Sequence, residues 1–189
     1  MSNFTPYLQR NERFAASGAQ ANVPAIPFVP FKQLYLITCV DPRVEPGAVF
    51  GAELGEAIVA RNIGGRVTPS LIADLAWVMH LHENKTPDAD WFEIAVVHHT
   101  DCGSALFADD ELRRGYVARG GWDDRATAAL AVLDPAATVR ADIDALRRAP
   151  ELASSIDRIA IGGYAYDLET GRATTVVEPT AVRADARAL

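Results

Sequence analysis

The chain has 189 residues, of which 49% are hydrophobic and 23% are charged, and its formal net charge is −7 at pH 7. This length and composition predict one globular domain and exclude an intrinsically disordered chain. The acidic balance, with no basic stripe, argues against binding to nucleic acid. No apolar run is long enough to cross a membrane, so no membrane partner is expected.

The chain contains two cysteines, Cys39 and Cys102. Its first residues lack a basic region followed by an apolar core, so they do not resemble a secretory signal. Two cysteines so far apart do not form a disulfide scaffold. We therefore expect a cytoplasmic protein, in which both thiols stay reduced and are available as thiolates.

Residues 1–30 are predicted to form an N-terminal arm. A short helix is expected over 5–17, because a threonine and a proline stand at its start and a glycine follows its end. Prolines then recur between positions 24 and 30, which excludes a central strand there. An extended apolar arm of this kind is expected to lie against a partner subunit.

Residues 31–189 are predicted to form a single α/β domain in which strands and helices alternate. The predicted strands are 33–38, 56–61, 92–97 and 158–161, and the predicted helices are 47–54, 69–83, 109–117, 123–133 and a segment that begins at Pro135. A final strand pair is expected around a turn at 169–171. Near-continuous apolar strands predict a mostly parallel sheet, covered by helices on both faces.

Polar and reactive residues follow the first three predicted strands. In open α/β sheets, ligands bind beyond the carboxyl ends of the strands. Three segments, 39–43, 61–67 and 98–103, are therefore expected to meet at one edge of the sheet.

Cys39, His99 and Cys102 form a candidate metal-binding set at this edge. His99 and Cys102 have H-x-x-C spacing, so one loop can turn both side chains toward one point, and Cys39 comes from the neighbouring loop. Two thiolates and one imidazole suit Zn²⁺, and three protein ligands leave a fourth position open, as in catalytic sites. The alternatives are buried cysteines that act only as small apolar residues, or a redox pair.

Three motifs in this order resemble the β-class carbonic anhydrases. They are CVDPR from Cys39, RNIGG from Arg61 and HTDCG from His99, and the resemblance extends over roughly residues 32–177. It implies one Zn²⁺ per chain and hydration of carbon dioxide to bicarbonate by a metal-bound hydroxide. It also implies a homodimer or a dimer-based tetramer with active sites at the subunit interface.

The same resemblance implies roles for individual residues. Cys39, His99 and Cys102 would hold the zinc, and Asp41 and Arg43 would be the catalytic dyad. Asp41 would accept a hydrogen bond from the zinc-bound water, and Arg43 would orient Asp41 by a charge-assisted hydrogen bond. The alternative for these two residues is an ordinary ion pair.

Other residues of these segments are candidates for the substrate pocket and for proton transfer. Ile63, Gly64 and Val67 are expected to line a small apolar slot, and the Gly103 amide to orient the reacting oxygens. His98 adjoins a predicted ligand and is a possible proton relay, because an imidazole titrates near neutrality. Otherwise His98 packs or hydrogen-bonds locally.

Two other functions stay open at this point. Pro42, Ile63 and His98 depart from the residues frequent in the family, and the chain resembles a short bacterial branch that also includes carbonyl sulfide hydrolase-like proteins. The same zinc site could therefore act on carbonyl sulfide. A non-catalytic zinc-stabilised binding or assembly protein would instead use Asp41 as a permanent fourth ligand, but it would have no use for Arg43.

Overall fold

The computed structural model describes residues 2–23, 25, 33–88 and 93–181. Within them the helices are α1 (Thr5–Ser17), α2 (Pro46–Val49), α3 (Pro69–Lys85), α4 (Asp110–Gly120), α5 (Asp124–Ala128) and α6 (Pro135–Arg148). The strands are β1 (Leu34–Cys39), β2 (Ala57–Asn62), β3 (Glu93–His99), β4 (Ala160–Asp167) and β5 (Arg172–Ala181). None of the helices seen in these ranges has the length and apolar character that a membrane span requires.

The strands form one sheet in the order β2-β1-β3-β4-β5. The first four are parallel, and β5 returns antiparallel to β4. This confirms the predicted α/β class, with a mostly parallel sheet and a C-terminal strand pair. Cys39 lies opposite Asn62 of β2, and Thr38 lies opposite Val97 of β3. The carboxyl ends of the first three strands therefore lie side by side.

The main hydrophobic core lies on one face of the sheet, under α3 and α6. Its buried residues from α3 and α6 are Leu71, Leu75, Met79, Val139, Ile143 and Leu146. Both helices begin at the predicted positions, and each has a proline in the first turn and a capping side chain just before it. The Thr68 side chain accepts the N–H of Leu71, and the Asp134 carboxylate accepts the N–H groups of Ala136 and Ala137.

The opposite face of the sheet carries a smaller buried cluster. Its members are Leu36, Val44, Ala95, Val97 and Tyr166. A cavity of about 700 Å³ opens beside it, and its lining includes Leu34, Leu36, Ala95, Val97 and Tyr164. In the described part of the chain, the long helices α3 and α6 thus cover one face, whereas the strand pattern predicts cover on both. Apolar strands indicate that a face is buried, but they do not indicate what buries it.

The first part of the predicted arm forms helix α1, which ends at Gly18 in a left-handed conformation. No residue of α1 is buried. Residues 24 and 26–30 of the arm, and position 92 of the predicted third strand, lie outside the described residues. The division into an arm at 1–30 and a domain at 31–189 stays a prediction.

Two predicted helices are too long. The helix predicted over 47–54 is α2, which covers only Pro46–Val49. Residues 123–133 were expected to be helical, but α5 covers only Asp124–Ala128. The chain leaves the helix so that the N–H of Val132 can donate to the Ser104 hydroxyl, and Val132 packs against both cysteines. This long-range contact overrides the local helical pattern.

Candidate metal centre

The structure brings the three predicted metal ligands together at the carboxyl edge of the sheet. Cys39 ends β1, His99 ends β3, and Cys102 follows in the next loop. All three side chains are buried, and their ligand atoms lie within 4.8 Å of one another. The two sulfur atoms are 3.9 Å apart.

The His99 ring is oriented for binding a cation. Its Nδ1 lies 2.8 Å from the Thr100 carbonyl oxygen, which can only accept, so Nδ1 carries the proton. The lone pair of Nε2 is then directed into the cluster, where this buried atom has no hydrogen-bond partner among the described residues. Buried polar atoms almost always have a partner. A metal ion would satisfy Nε2, and the thiolate and imidazole donor set fits Zn²⁺.

Both sulfur atoms have hydrogen-bond partners that favour thiolates. The backbone N–H groups of Asp41 and Gly64 donate to Cys39 Sγ at 3.4 and 3.3 Å, and the Ser104 hydroxyl lies 3.1 Å from Cys102 Sγ. The hydrogen bond between the cysteines lowers the pKa of Cys102. The same bond, together with burial, raises the pKa of Cys39. The pair thus holds one negative charge readily, and a cation is needed to stabilise the second.

Asp41 and Arg43 form a bidentate ion pair beside the cluster. The Nε and Nη2 atoms of Arg43 donate to Oδ1 and Oδ2 of Asp41 at 3.0 and 2.8 Å, and the Arg43 backbone N–H also donates to Oδ1 at 2.9 Å. These hydrogen bonds lower the pKa of Asp41 to about 2. Asp41 is therefore ionised at neutral pH and held by the arginine rather than grouped with the three ligands.

Asp101 is a site residue that the sequence analysis missed. Arg43 donates through Nη1 to the Asp101 carboxylate at 2.7 Å and through Nη2 to the Asp101 carbonyl at 2.9 Å. Asp101 has φ +51, in the left-handed region that aspartate tolerates better than most residues. The loop between the two ligands thus anchors the guanidinium from its far side. In the sequence, the sign of this role was that an acidic residue stands inside the HTDCG motif.

Ser104 and Arg61 also support the centre and were not predicted to do so. The Ser104 oxygen accepts the N–H of Val132 at 3.2 Å, so its own proton is free to point at sulfur. Arg61 donates from β2 to the carbonyl oxygens of Cys39 and Asp41 at 3.0 and 2.8 Å. These contacts stabilise the backbone on both sides of the cluster.

The four predicted pocket residues occupy different environments. Gly64 is buried beside the Cys39 sulfur, and its neighbour Ile63 is 53% exposed. Gly103 is exposed at the start of the turn that follows Cys102. Val67 instead packs against the main core. Ile63, Gly64 and Gly103 therefore border the centre, whereas Val67 is a core residue in this structure.

His98, the candidate proton relay, has no exposed surface. Its Nδ1 lies 2.7 Å from the Thr138 hydroxyl, and its Nε2 lies 3.1 Å from the Gly65 carbonyl and 3.3 Å from the Asp142 carboxylate. A fully buried ring offers a proton no direct route to solvent. This geometry favours the local hydrogen-bonding alternative for His98.

Comparisons with known proteins agree with this arrangement. A family model described as carbonic anhydrase matches residues 34–173. The chain belongs to the β-class carbonic anhydrase family. It is 35% identical over 108 residues to β-carbonic anhydrase 1 of Mycobacterium tuberculosis, and the match covers 57% of this chain and 60% of that protein. The aligned part thus spans less than two thirds of this curated relative.

Two further relatives bear on fold and chemistry. The fold is similar to the crystal structure of carbonic anhydrase from Streptococcus mutans, with a TM-score of 0.71 and 31% identity, covering 93% of this chain and 98% of the other. The chain is also 32% identical over 89 residues to carbon disulfide hydrolase of Acidianus sp., covering 47% of this chain and 40% of that protein. The family therefore includes relatives named for a sulfur-containing substrate.

Proposed function

We propose that this chain is a zinc-dependent lyase that hydrates carbon dioxide to bicarbonate. One Zn²⁺ per chain would be held by Cys39, His99 and Cys102. The observation that carries the proposal is a buried set of two cysteine sulfurs and one imidazole, next to a carboxylate oriented by an arginine. When bound there, Zn²⁺ supplies the Lewis acidity that makes water a nucleophile near neutral pH.

Asp41 accepts a hydrogen bond from the reacting water. Its Oδ1 already accepts two hydrogen bonds from Arg43, but its Oδ2 accepts only one among the described residues. A carboxylate oxygen can accept two, so Oδ2 keeps a lone pair. An ionised carboxylate cannot donate, so the water must donate to Oδ2. This hydrogen bond orients the water so that a lone pair of its oxygen faces the substrate carbon.

The substrate would be bound by the residues that border the centre. Ile63 offers an apolar wall for a linear, uncharged molecule, and Gly64 lies beside the Cys39 sulfur. The amide of Gly103 is proposed to orient the oxygen on which charge develops. Both cysteines must stay reduced for this chemistry, so the cytoplasm is the proposed location.

We infer that the working unit is a homodimer, or a tetramer built from dimers. The α1 helix exposes Tyr7, Leu8 and Phe14, and Phe4 just before the helix is also exposed. The sheet face around the 700 Å³ cavity is also apolar, and the long described helices do not cover it. Two apolar surfaces that the described residues leave uncovered favour mutual burial between copies, at about 25 cal/mol per Å².

Metal content and catalysis test the proposal directly. Purified protein should carry about one zinc per chain and should accelerate carbon dioxide hydration in stopped-flow assays. Cys39→Ser should lose both metal and activity, because serine is a poor zinc ligand. Asp144→Asn, a surface change on α6, is the control and should lose neither. Stoichiometric zinc without any acceleration would refute the lyase assignment.

A second candidate function is hydrolysis of carbonyl sulfide at the same zinc site. It is favoured by the identity shared with carbon disulfide hydrolase and by the exposed Ile63 beside the centre. Measuring kcat/KM for carbonyl sulfide and for carbon dioxide decides between the two. A higher value for carbonyl sulfide replaces the lyase proposal, and Ile63→Ala should then shift the ratio toward carbon dioxide.

A non-catalytic zinc protein is the third candidate, and the Asp41 geometry opposes it. A permanent fourth ligand would need an Asp41 oxygen on the metal, but both of its oxygens accept hydrogen bonds from Arg43. Crystal structures of the zinc-loaded protein from mildly acidic to alkaline pH discriminate between the lyase and the non-catalytic protein. The lyase proposal expects the ion pair to persist at neutral and alkaline pH; Asp41 on zinc at every pH would support the non-catalytic reading.

A further inference from the structure

A buried carboxylate on α6 links two of the segments that build the metal centre. Asp142 is 3% exposed. It accepts hydrogen bonds from Nε and Nη2 of Arg66 at 2.8 and 2.9 Å and from the backbone N–H of Val67 at 3.0 Å. The Nε2 atom of His98 lies 3.3 Å from the same carboxylate. Asp142 therefore holds the loop after β2 and the end of β3 at once.

The first link leads from Asp142 to the Cys39 sulfur. The Asn62 side chain closes the loop by bonding both the N–H and the carbonyl of Arg66, at 2.8 and 2.7 Å. Gly65 lies so close to β1 that a Cβ atom there would be 2.9 Å from the Cys39 nitrogen. Gly64 then donates its N–H to Cys39 Sγ. A hydrogen-bonded, closely packed loop thus connects the carboxylate on α6 to the Cys39 sulfur.

The second link leads from Asp142 to the His99 ring. Neighbouring residues of a strand point to opposite faces, so His98 points toward α6 and His99 away from it. His98 contacts Asp142, the Thr138 hydroxyl and the Gly65 carbonyl. These contacts anchor the strand at the residue before the ligand, and so limit the orientations available to the His99 ring.

We propose that Asp142 is a positioning residue for the metal centre. From α6 it acts through Arg66, Val67 and His98 to hold the backbone donor to Cys39 and the ring of His99 in place. The inference rests on the proposed zinc site. Partners beyond the ligands characteristically change metal affinity by about 10- to 100-fold, which is the size of effect expected here.

Three variants separate positioning from folding. Asp142→Asn removes the charge but leaves Arg66 buried without a counter-charge, which destabilises proteins strongly. The double variant Arg66→Met with Asp142→Leu removes both charges and keeps apolar volume, a replacement that is often neutral for stability. Ile143→Val, in the core on the same helix, provides mild destabilisation and leaves Asp142 and its hydrogen-bond partners unchanged.

A fourth variant controls for charge. Asp144→Asn neutralises an exposed carboxylate two positions along α6, whose partner Arg148 lies 3.8 Å away. All variants would be compared as zinc-loaded protein by their thermal midpoints and by the rate of zinc loss to excess chelator. The absorption spectrum of the Co²⁺-substituted protein reports the ligand geometry independently of activity.

We expect the double substitution to change zinc retention without a matching change in thermal stability. The Asp142 single and double variants should lose zinc about 10- to 100-fold faster than wild type and should show altered Co²⁺ spectra. The double variant should do so with a thermal midpoint near that of wild type. Asp144→Asn and Ile143→Val should keep wild-type zinc loss and spectra.

Two results would overturn the proposal. If the double variant keeps the wild-type rate of zinc loss and the wild-type spectrum, the network does not position the ligands. If zinc loss merely follows the thermal midpoint across all variants, including Ile143→Val, Asp142 is only structural. A wild type that binds no zinc would instead refute the metal centre itself, and this inference with it.

Discussion

At the scale of single residues, the site depends on which atoms still have hydrogen-bonding capacity. Arg43 takes up most of the acceptor capacity of Asp41, and Asp101 takes up part of the donor capacity of Arg43. The carboxylate cannot rotate without breaking charge-assisted hydrogen bonds, which are about twice as strong as neutral ones. One lone pair on Oδ2 stays available, and it defines where a donor must sit.

Asp41→Asn should lower kcat by about 10²-fold or more while zinc content stays at one per chain, because the amide can donate where an acceptor is needed. Arg43→Ala should also lower kcat, since Asp41 is then free to rotate. The double variant should be little worse than either single one, as expected for groups that act as a unit. Stopped-flow rates and metal analysis provide the measurement.

Asp101→Asn is the matched control for the dyad. It weakens one anchor of Arg43 but leaves the Asp41 carboxylate and its arginine in place, so its effect on kcat should be smaller. If the Asp41 and Arg43 variants lose zinc in proportion to activity, Asp41 is a structural ligand. If they keep wild-type turnover, the dyad is an ordinary ion pair.

At the scale of elements, the loop after β2 packs so tightly on β1 that one position admits only glycine. Gly65 has φ +66, and a Cβ atom there would lie 2.8 Å from the backbone carbon of Thr38. Gly171, in the turn between β4 and β5, has a similar φ of +69 but nothing within 4 Å of its Cβ position. The two glycines thus share a left-handed conformation, which would strain any residue with a Cβ, and they differ in contacts.

Gly65→Ala should therefore destabilise the protein more than Gly171→Ala. The control should cost about 1–2 kcal/mol for the left-handed conformation alone, and Gly65→Ala should add the cost of displacing the loop. That displacement should also move the Gly64 N–H from the Cys39 sulfur and speed zinc loss. Urea unfolding and chelator competition test both expectations, and equal effects of the two substitutions would contradict the close contact.

The hydrogen bonds that Asp142 of α6 accepts should also make the free energy of unfolding depend on pH. Burial raises the pKa of Asp142, but hydrogen bonds from His98 and Arg66 outweigh it and lower the pKa to about 2, against an ordinary value of 3.8. A group whose pKa is lower in the folded state stabilises that state at pH values above its unfolded-state pKa. This stabilisation is lost as the pH falls through the folded-state pKa. The difference amounts to about 2 kcal/mol at neutral pH.

The stability gap between wild type and Asp142→Asn should consequently shrink as pH falls from about 4 to about 2. Urea unfolding of chelator-treated proteins at several pH values measures this gap without the contribution of zinc. Asp144→Asn, whose carboxylate is exposed, should show a smaller change. A gap that stays constant across this range would mean that Asp142 has no lowered pKa in the folded protein.

At the scale of the whole molecule, the described chain leaves apolar surface that a second copy would bury. The exposed apolar residues of α1 lie on one side of the helix. Leu8→Glu should therefore weaken the dimer, whereas Gln9→Glu, with the same added charge on the opposite side, should not. Light scattering coupled to gel filtration measures the mass. A Leu8→Glu protein that stays dimeric would exclude α1 from the interface.

The cluster of Cys39, His99 and Cys102 and the sheet were readable from the sequence because both depend on local pattern. Apolar runs ending in Cys39 and His99 predict buried strands, and parallel strands place their carboxyl ends at one edge. The motifs around these residues also carry the family resemblance. The convergence of these three residues could therefore be predicted without knowledge of the remaining chain.

Other features were decided only by tertiary structure. Asp142 stands on an ordinary amphipathic helix, and nothing near it in sequence shows that its carboxylate meets Arg66 and His98. The orientation of Val67 toward the core, the uneven cover of the sheet and the early end of α5 likewise depend on contacts between distant segments. Local pattern determines which residues are buried and where strands end, whereas the partner of each buried polar group is determined only when the elements pack, because every such group must then find its hydrogen bond.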